Sequence, residues 1–278
     1  MIELEPLLRP ELSHRDEDGI AVFSEGGEYA RLQAAHFDEE DDEFETERPH
    51  GTTRLYRWLI EEKFRRSIDG IAGLVPGCTA LAVCGGSGMD AELLARASAR
   101  VVSADISLGA SRRARERARR FGLDVVPVVA DAENLPFADR SFDLVYVHDG
   151  LHHLEHPEAG LAEMARVARL AVSITEPARA AATRLAVRIG LALDREEAGN
   201  RVARLDPAEV AALLRARGLD VVRAERYGML YRHHPGAPSR LLSRERLFPL
   251  TVAALRAANA VAGPLGNKMT VQAVRRSL

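Results

Sequence analysis

The sequence predicts an α/β fold built on a parallel sheet covered by helices on both faces. Three observations carry that expectation. Short runs rich in Val, Leu and Ala recur between Thr79 and Thr175 and read as strands buried on both sides. Segments with apolar residues at helical spacing alternate with these runs. Glycine-rich or acidic turns stand at the carboxyl ends of the first three runs, where open α/β sheets place their ligands.

The elements follow in order. From Thr52 to Ala72, Leu55, Trp58, Leu59, Phe64, Ile68 and Ile71 recur at helical spacing, and Gly73 and Pro76 stop the helix. Thr79 to Cys84 is the first strand of the alternation and Met89 to Ser98 its helix. Arg100 to Ala104 is the second strand, and Leu108 to Arg120 an Arg-rich helix. Asp124 to Ala130 and Phe142 to His148 are further strands. Pro157 to Ala168 is a helix and Ala171 to Thr175 the fifth strand. Past Glu176 the rhythm changes. Pro177 to Leu193 reads as an inserted helix, and Asp206 to Arg217 as another, with Asp206 as N-cap, Pro207 in the first turn and Gly218 after the end. Val221 to Tyr231 is a strand, Leu247 to Ala262 a helix, and Lys268 to Arg275 a closing strand. The apolar stretch Leu247 to Gly266 is expected to be an amphipathic helix packed on the domain. Residues 1–51 are polar and without sustained periodicity, and are assigned to an N-terminal lid or arm; 52–278 form the main domain, with 177–205 as an inserted helical cap.

Composition narrows the function. Hydrophobic residues make up 46% of the 278 residues and charged residues 28%, as in a globular chain with a proper core. The net charge of −3 argues against a dedicated nucleic-acid binder. The Arg cluster from Arg112 to Arg120 has no interleaved aromatic residue and reads as a solvated helix face. Lys63 and Lys268 are the only lysines, a skew that reads as coding bias. Cys78 and Cys84 alone make no disulfide framework, and no CxxC pair exists. No apolar leader opens the sequence and no uncharged stretch is long enough to span a bilayer, so a cytoplasmic protein without stable membrane insertion is expected. Neither His152-His153 nor His233-His234 suggests metal, because adjacent residues converge poorly on one ion. Oligomeric state, monomer or homodimer, is left open.

Three segments carry chemistry. Cys84-Gly85-Gly86-Ser87-Gly88 lies between the first strand and its helix, where glycines let the backbone approach a ligand and the helix N-terminus offers N–H groups. Asp105 ends the second strand, where a carboxylate can accept from both hydroxyls of a ribose. Asp131-Ala132-Glu133-Asn134-Leu135-Pro136-Phe137 follows the third, where Asp131 can accept from an exocyclic amino group such as that of adenine.

On these segments the stretch Ala80 to Glu176 resembles the class I S-adenosylmethionine-dependent methyltransferases, and within them the small-molecule and quinone-type subgroup. Their glycine motif reads acidic-x-Gly-x-Gly-x-Gly. Here Ala82 replaces the acid and Cys84 the first glycine, whereas Asp105 and the run from Asp131 to Asp143 fit closely. The resemblance implies a Rossmann-like seven-stranded sheet of order 3-2-1-4-5-7-6, its last strand antiparallel, with an N-terminal helical lid. It implies that Gly85, Gly86 and Gly88 wrap the methionine part of S-adenosylmethionine. Asp105 would hold the ribose with Ile106 against adenine, Asp131 and Ala132 would meet the adenine edge, and the backbone near His148 the methionine end.

A base is needed only where the acceptor must lose a proton. His148-Asp149-Gly150-Leu151-His152-His153-Leu154 is the expected place, with His152 or His153 as base and Glu176 as the carboxylate that orients it. The chain lacks the Asn/Asp-Pro-Pro-Tyr/Phe segment of nucleic-acid amino-methylating enzymes, so a small-molecule acceptor is expected. O-methylation with a histidine base is the first reading, and C-methylation of a quinone or lipid-like acceptor the second. A silent cofactor-binding module is the third. Gly86-Ser87-Gly88-Met89-Asp90-Ala91 also fits a dinucleotide pattern, so an NAD-dependent dehydrogenase is a fourth, disfavoured by the strand-helix-strand ending. The roof of the pocket is expected from Tyr29 to Arg48, the insert 177–200, and Tyr227 to Arg240.

Overall fold

One sheet organises the molecule. In the computed structural model, residues 2–10, 12–24, 26–39, 52–179, 205–229 and 236–275 are described. The strands are β1 (Arg15–Glu17), β2 (Ile20–Val22), β3 (Thr79–Val83), β4 (Arg100–Asp105), β5 (Val125–Val129), β6 (Phe142–His148), β7 (Ala168–Pro177), β8 (Leu219–Tyr227) and β9 (Lys268–Arg275). Their order across the sheet is β1-β2-β5-β4-β3-β6-β7-β9-β8. Strands β5, β4, β3, β6 and β7 pair in parallel, and β9 runs antiparallel to both neighbours. From β5 to β8 this is the expected 3-2-1-4-5-7-6 order.

The sheet differs from the seven strands expected, because β1 and β2 extend its edge. Asp18 (φ 57°) and Gly19 (φ 78°) make the tight turn between them. An Asp-Gly pair supplies the two positive φ values that such a hairpin requires. Ile20, Ala21 and Val22 are buried, and β2 pairs in parallel with β5 at Ala21–Val128 and Val22–Val129. Three apolar residues are too few to register as periodicity, which is why this segment reads as an arm. The turn dipeptide was the signal available.

The helices are α1 (Glu28–Asp38), α2 (Arg54–Ile68), α3 (Met89–Arg96), α4 (Leu108–Phe121), α5 (Pro157–Val167), α6 (Pro207–Ala216), α7 (Ala237–Leu242) and α8 (Phe248–Ala262). Alternate strand residues feed two cores. Leu81, Val83, Val145 and Val147 pack with Leu161 and Met164 of α5 and Leu214 of α6. Ala80, Ala82, Leu144 and Tyr146 pack with Leu94 of α3 and Ile71 on the other face. Strand side chains that alternate between two apolar layers are those of a sheet covered on both sides.

Two expectations are corrected. The Arg-rich face of α4 is not simply solvated. Arg117 is fully buried, donating to Glu92 Oε2 (2.8 Å) and the Ser87 carbonyl (2.9 Å), and Arg113 is buried and donates to the Phe37 carbonyl. Arg112 donates to Asp18 Oδ2 at 2.8 Å, so this helix also fastens the N-terminal segment to the sheet. Helix α8 packs through Leu255 on the cluster of Leu55, Leu59, Tyr227 and Met229, but it is not amphipathic. Its outward side carries Leu250 (67% exposed), Ala253, Ala254, Ala257 and Val261 (87% exposed). No helix among the described residues is long and apolar enough to cross a membrane. The inserted helix expected over Pro177 to Leu193 does not begin at Pro177, which ends β7, nor at Ala178, which bridges to Leu205, and from 180 on it lies outside the described residues, as does His233-His234.

Candidate active site

The candidate residues lie along the carboxyl ends of β5, β4, β3 and β6, which are neighbouring parallel strands. After β3 the chain turns at once, with Cys84 (φ 51°), Gly86 (φ 50°) and Gly88 (φ 81°) all left-handed. A Cβ on Gly85 would overlap Ser103 Oγ, and one on Gly88 would lie 3.0 Å from the Ala114 backbone, so both glycines are required by close approach. Ser87 is buried, and its carbonyl is held by Arg117. The Cys84 thiol is pushed well up by desolvation and by the carboxylates of Asp105 and Glu176, so it is no thiolate nucleophile.

Asp105 closes one side of the turn. Its Oδ2 accepts from Gly86 N (2.8 Å) and its Oδ1 from Ser107 N (2.9 Å). Burial pushes its carboxyl up, against the lowering effect of these two N–H groups and Arg113. Each anchored oxygen keeps a lone pair for a ligand hydroxyl. The Asp105 carbonyl accepts from Ala130 N (2.8 Å), so Asp131 follows directly on the neighbouring strand end. Asp131 Oδ1 accepts from Glu133 N at 2.9 Å. A Cβ on Gly26 would lie 3.1 Å from Asp131 Oδ2 and 3.4 Å from Ile106 Cδ1, which places Asp131 and Ile106 around one point under the N-terminal segment. Ala132 is in the core, so only its backbone is left to face the cleft. Asp105 and Asp131 thus stand at the carboxyl ends of two neighbouring strands, β4 and β5.

On the other side of the turn lie His148 and Asp149. His148 Nδ1 is hydrogen-bonded to Asp90 Oδ1 (2.8 Å), and His148 Nε2 lies 3.6 Å from Asp149 Oδ2. Thus the His148 side chain stands between Asp90 and Asp149. Asp149 pairs with Lys63 Nζ at 3.0 Å and with Lys268 Nζ. Burial pushes the Asp149 carboxyl up, but the ammonium groups of Lys268 and Lys63 outweigh it and hold the carboxyl well below the usual range.

His152 and Glu176 meet as expected: Nδ1 is 2.8 Å from Oε2, and both side chains are buried. Glu176 Oε1 also accepts from Gly150 N and Leu151 N, each at 2.8 Å, so one carboxylate fixes both the loop and the imidazole. His153 faces α1 instead, with Nδ1 at 3.4 Å from Gln33 Oε1 and its ring edge-on to Phe37. Asp38, last in α1, accepts from Ser107 Oγ (2.6 Å) and Gly109 N (2.7 Å), which ties α1 to the start of α4.

Sequence reasoning missed Asp90, Asp149, Lys63 and Lys268. Two lysines among 38 basic residues were the visible signal, and the structure brings both to one carboxylate.

With this geometry in place, the comparisons with known proteins are informative. Residues 81–171 match a family described as "Methyltransferase domain". The chain is 41% identical over 119 residues to a demethylmenaquinone methyltransferase of Corynebacterium urealyticum, covering 43% of this chain and 46% of that protein. It is 39% identical over 101 residues to a ubiquinone/menaquinone biosynthesis C-methyltransferase of Cupriavidus taiwanensis, covering 35% and 42%. The chain therefore spans about half the length of the curated relatives it matches. Among solved structures, the magnesium protoporphyrin IX methyltransferase of Synechocystis with bound SAH aligns with a TM-score of 0.59 at 17% identity, over 88% of this chain and 99% of that one. A [4+2]-cyclase aligns with a TM-score of 0.58 at 20% identity, over 82% and 86%.

Residues 81–171 thus match a methyltransferase domain, and the fold is that of the S-adenosylmethionine-dependent methyltransferases. Over part of its length the chain is similar in sequence to quinone-type methyltransferases. The residues fit the cofactor: an anchored carboxylate stands at the second strand tip, the glycine turn admits close approach, and Ser103 Oγ and His148 Nε2 are buried polar atoms that make no hydrogen bond among the described residues.

Proposed function

We propose that the protein transfers a methyl group from S-adenosylmethionine to a ring carbon of a quinone-type acceptor in its reduced form. This was the second reading of the sequence. It stands ahead of O-methylation because of one observation: 41% identity over 119 residues with a demethylmenaquinone methyltransferase.

When bound, S-adenosylmethionine supplies a methyl on a sulfonium, an excellent leaving group, so positioning of the acceptor governs the rate. Asp105, Ile106, Asp131 and the backbone of Ala132 would hold the nucleoside, and the turn Cys84 to Gly88 would meet the methionine part. His152 takes the proton of the acceptor hydroxyl, which raises the electron density of the ring. Its Nδ1–H donates to Glu176, which leaves Nε2 as the basic atom and stabilises the imidazolium that forms. His153, Gln33 and Phe37 exclude water above the reacting atoms. A base is useful for carbon and oxygen acceptors alike, so the product decides between them.

The experiment supplies a reduced, prenylated 1,4-naphthoquinone without its ring methyl, together with S-adenosylmethionine. The expected product carries a new carbon-bound methyl by mass spectrometry and NMR. A methyl ether as sole product returns the reading to O-methylation. No product, with the cofactor bound, favours a different use of the cofactor fold. The [4+2]-cyclase neighbour gives that outcome a precedent, since fold alone does not fix reaction.

A further inference from the structure

Helix α8 leaves an apolar side uncovered. Leu255 and Asn259 face inward: Leu255 packs on the cluster of Leu55, Leu59, Tyr227 and Met229, and Asn259 accepts from Gly228 N (2.7 Å) and donates to the Gly228 carbonyl (3.1 Å). Leu250, Ala253, Ala254, Ala257 and Val261 recur at spacings of three and four on the opposite side, and all are exposed. Leu247 precedes this stripe and Leu265 (75% exposed) follows it, while Leu241 and Leu242 of α7 are exposed beside it in sequence. Single exposed apolar residues need no explanation, but a stripe about four turns long does.

The helix is firmly presented. Asn267 binds Met229 through both atoms of its amide, each at 2.9 Å, and a Cβ on Gly266 would overlap the Tyr227 carbonyl. Lys268, next along the chain, pairs with Pro177 at the carboxyl end of β7. Helix α8 therefore sits at the same end of the sheet as the candidate residues.

Charge says what covers the stripe. Arg240, Arg244 and Arg246 are exposed just before α8, and Arg256 is exposed on the helix itself, with its guanidinium 5.9 Å from the centre of the Trp58 ring. Arg54 stands at the start of α8, 4.2 Å from the centre of the Phe248 ring. Glu245 is the one carboxylate in residues 236–266. Leucines flanked by arginines suit an anionic lipid surface: the apolar side chains enter the boundary between headgroups and acyl chains, and the guanidinium groups pair with phosphate. A second copy docked through the same stripe would bring these arginines toward their own counterparts, because a two-fold interface joins like patches. At about 1.5 Å per residue the helix is about 22 Å long, short of the roughly 30 Å hydrocarbon core, so it would lie in the plane of the interface.

We propose that α7 and the exposed side of α8 form a docking surface for an anionic membrane. The inference goes beyond the methyl transfer proposed above and stands without it. Where both hold, docking brings a prenylated acceptor to the end of the sheet that carries the site.

Co-sedimentation of the full chain with vesicles tests it, using phosphatidylcholine alone and phosphatidylcholine with about 30% phosphatidylglycerol. The mixed vesicles should retain the protein at least about 10-fold more strongly, and about 0.5 M NaCl should remove most of that difference by screening. Leu250→Glu and Val261→Glu should each weaken retention by at least about 10-fold, the contribution of one buried aliphatic side chain. Arg244→Gln combined with Arg246→Gln should weaken binding to the mixed vesicles only. Leu32→Glu, at a comparably exposed position on α1, should leave retention unchanged. No retention of the wild-type protein, or equal retention by both compositions, overturns the proposal. So does a clear drop in Tm of Leu250→Glu without vesicles, which would show the stripe covered by the chain itself. A mass by light scattering that falls from dimer to monomer in that variant would assign the stripe to a second copy and overturns it too. Vesicle binding without a methylated naphthoquinone supports this inference and sinks only the reading of the acceptor.

Discussion

His152 Nδ1 lies 2.8 Å from Glu176 Oε2, and the second oxygen of that carboxylate receives the N–H groups of Gly150 and Leu151. One buried acid thus sets the direction of an imidazole and the path of the loop that presents it. The two duties separate on substitution.

Glu176→Gln keeps an oxygen for the two N–H groups but removes the charge that supports an imidazolium. Turnover should fall about 100-fold, within the range of general acid–base contributions, with cofactor affinity unchanged. Steady-state kinetics beside calorimetry checks it. A Gln variant of undiminished turnover would remove Glu176 from the chemistry.

Gly150→Ala should collide with Cys84 and lower stability by more than about 1 kcal/mol. Cys84 itself carries φ 51°, so Cys84→Gly should stabilise by about 0.5–1 kcal/mol and raise Tm by a few degrees. In the Cys84→Gly background Gly150→Ala should become tolerable. Thermal unfolding of the three variants reads the coupling, and strict additivity would contradict the contact.

Arg117→Met removes one arginine paired with the buried Glu92, leaving Arg96 at 2.8 Å on its other oxygen, and should cost about 1–3 kcal/mol in urea unfolding. Replacing Glu92 by Leu as well should recover much of this loss. A double variant no more stable than the single would show that packing, not charge, is what Arg117 supplies.

Asp149 also predicts a pH dependence. Its carboxyl is held below its unfolded value, so its contribution to stability is present above about pH 4 and is lost as pH falls through the folded value. The stability gap between wild type and Asp149→Asn should therefore shrink between about pH 5 and pH 2. Urea midpoints across that range measure it, and a gap that widens on acidification has the wrong sign.

Much of this was legible in the chain. The strand runs from Thr79 to Thr175 are continuous and apolar because both faces are covered, so their positions followed from the residues, whereas their order across the sheet came from the resemblance. Asp105 and Asp131 were legible because each ends such a run. The edge hairpin was not, since Ile20 to Val22 is too short for a period to appear, although Asp18-Gly19 marked its turn. The buried arginines of α4 escaped because a pattern of charge does not reveal which long side chains turn inward to meet Glu92 or the Phe37 carbonyl. Lys63 and Lys268 lie far apart in sequence and near each other only through α2 and β9, so their meeting at Asp149 needed three dimensions.

The assignment stands most directly on titration of S-adenosylhomocysteine into wild-type protein and Asp105→Ala. The account predicts one site per chain in the wild type and an affinity loss of at least about 10-fold in the variant, the cost of the ribose hydroxyl bonds to a carboxylate. Absence of binding by the wild type, or an Asp105→Ala curve that overlays it, would contradict the account.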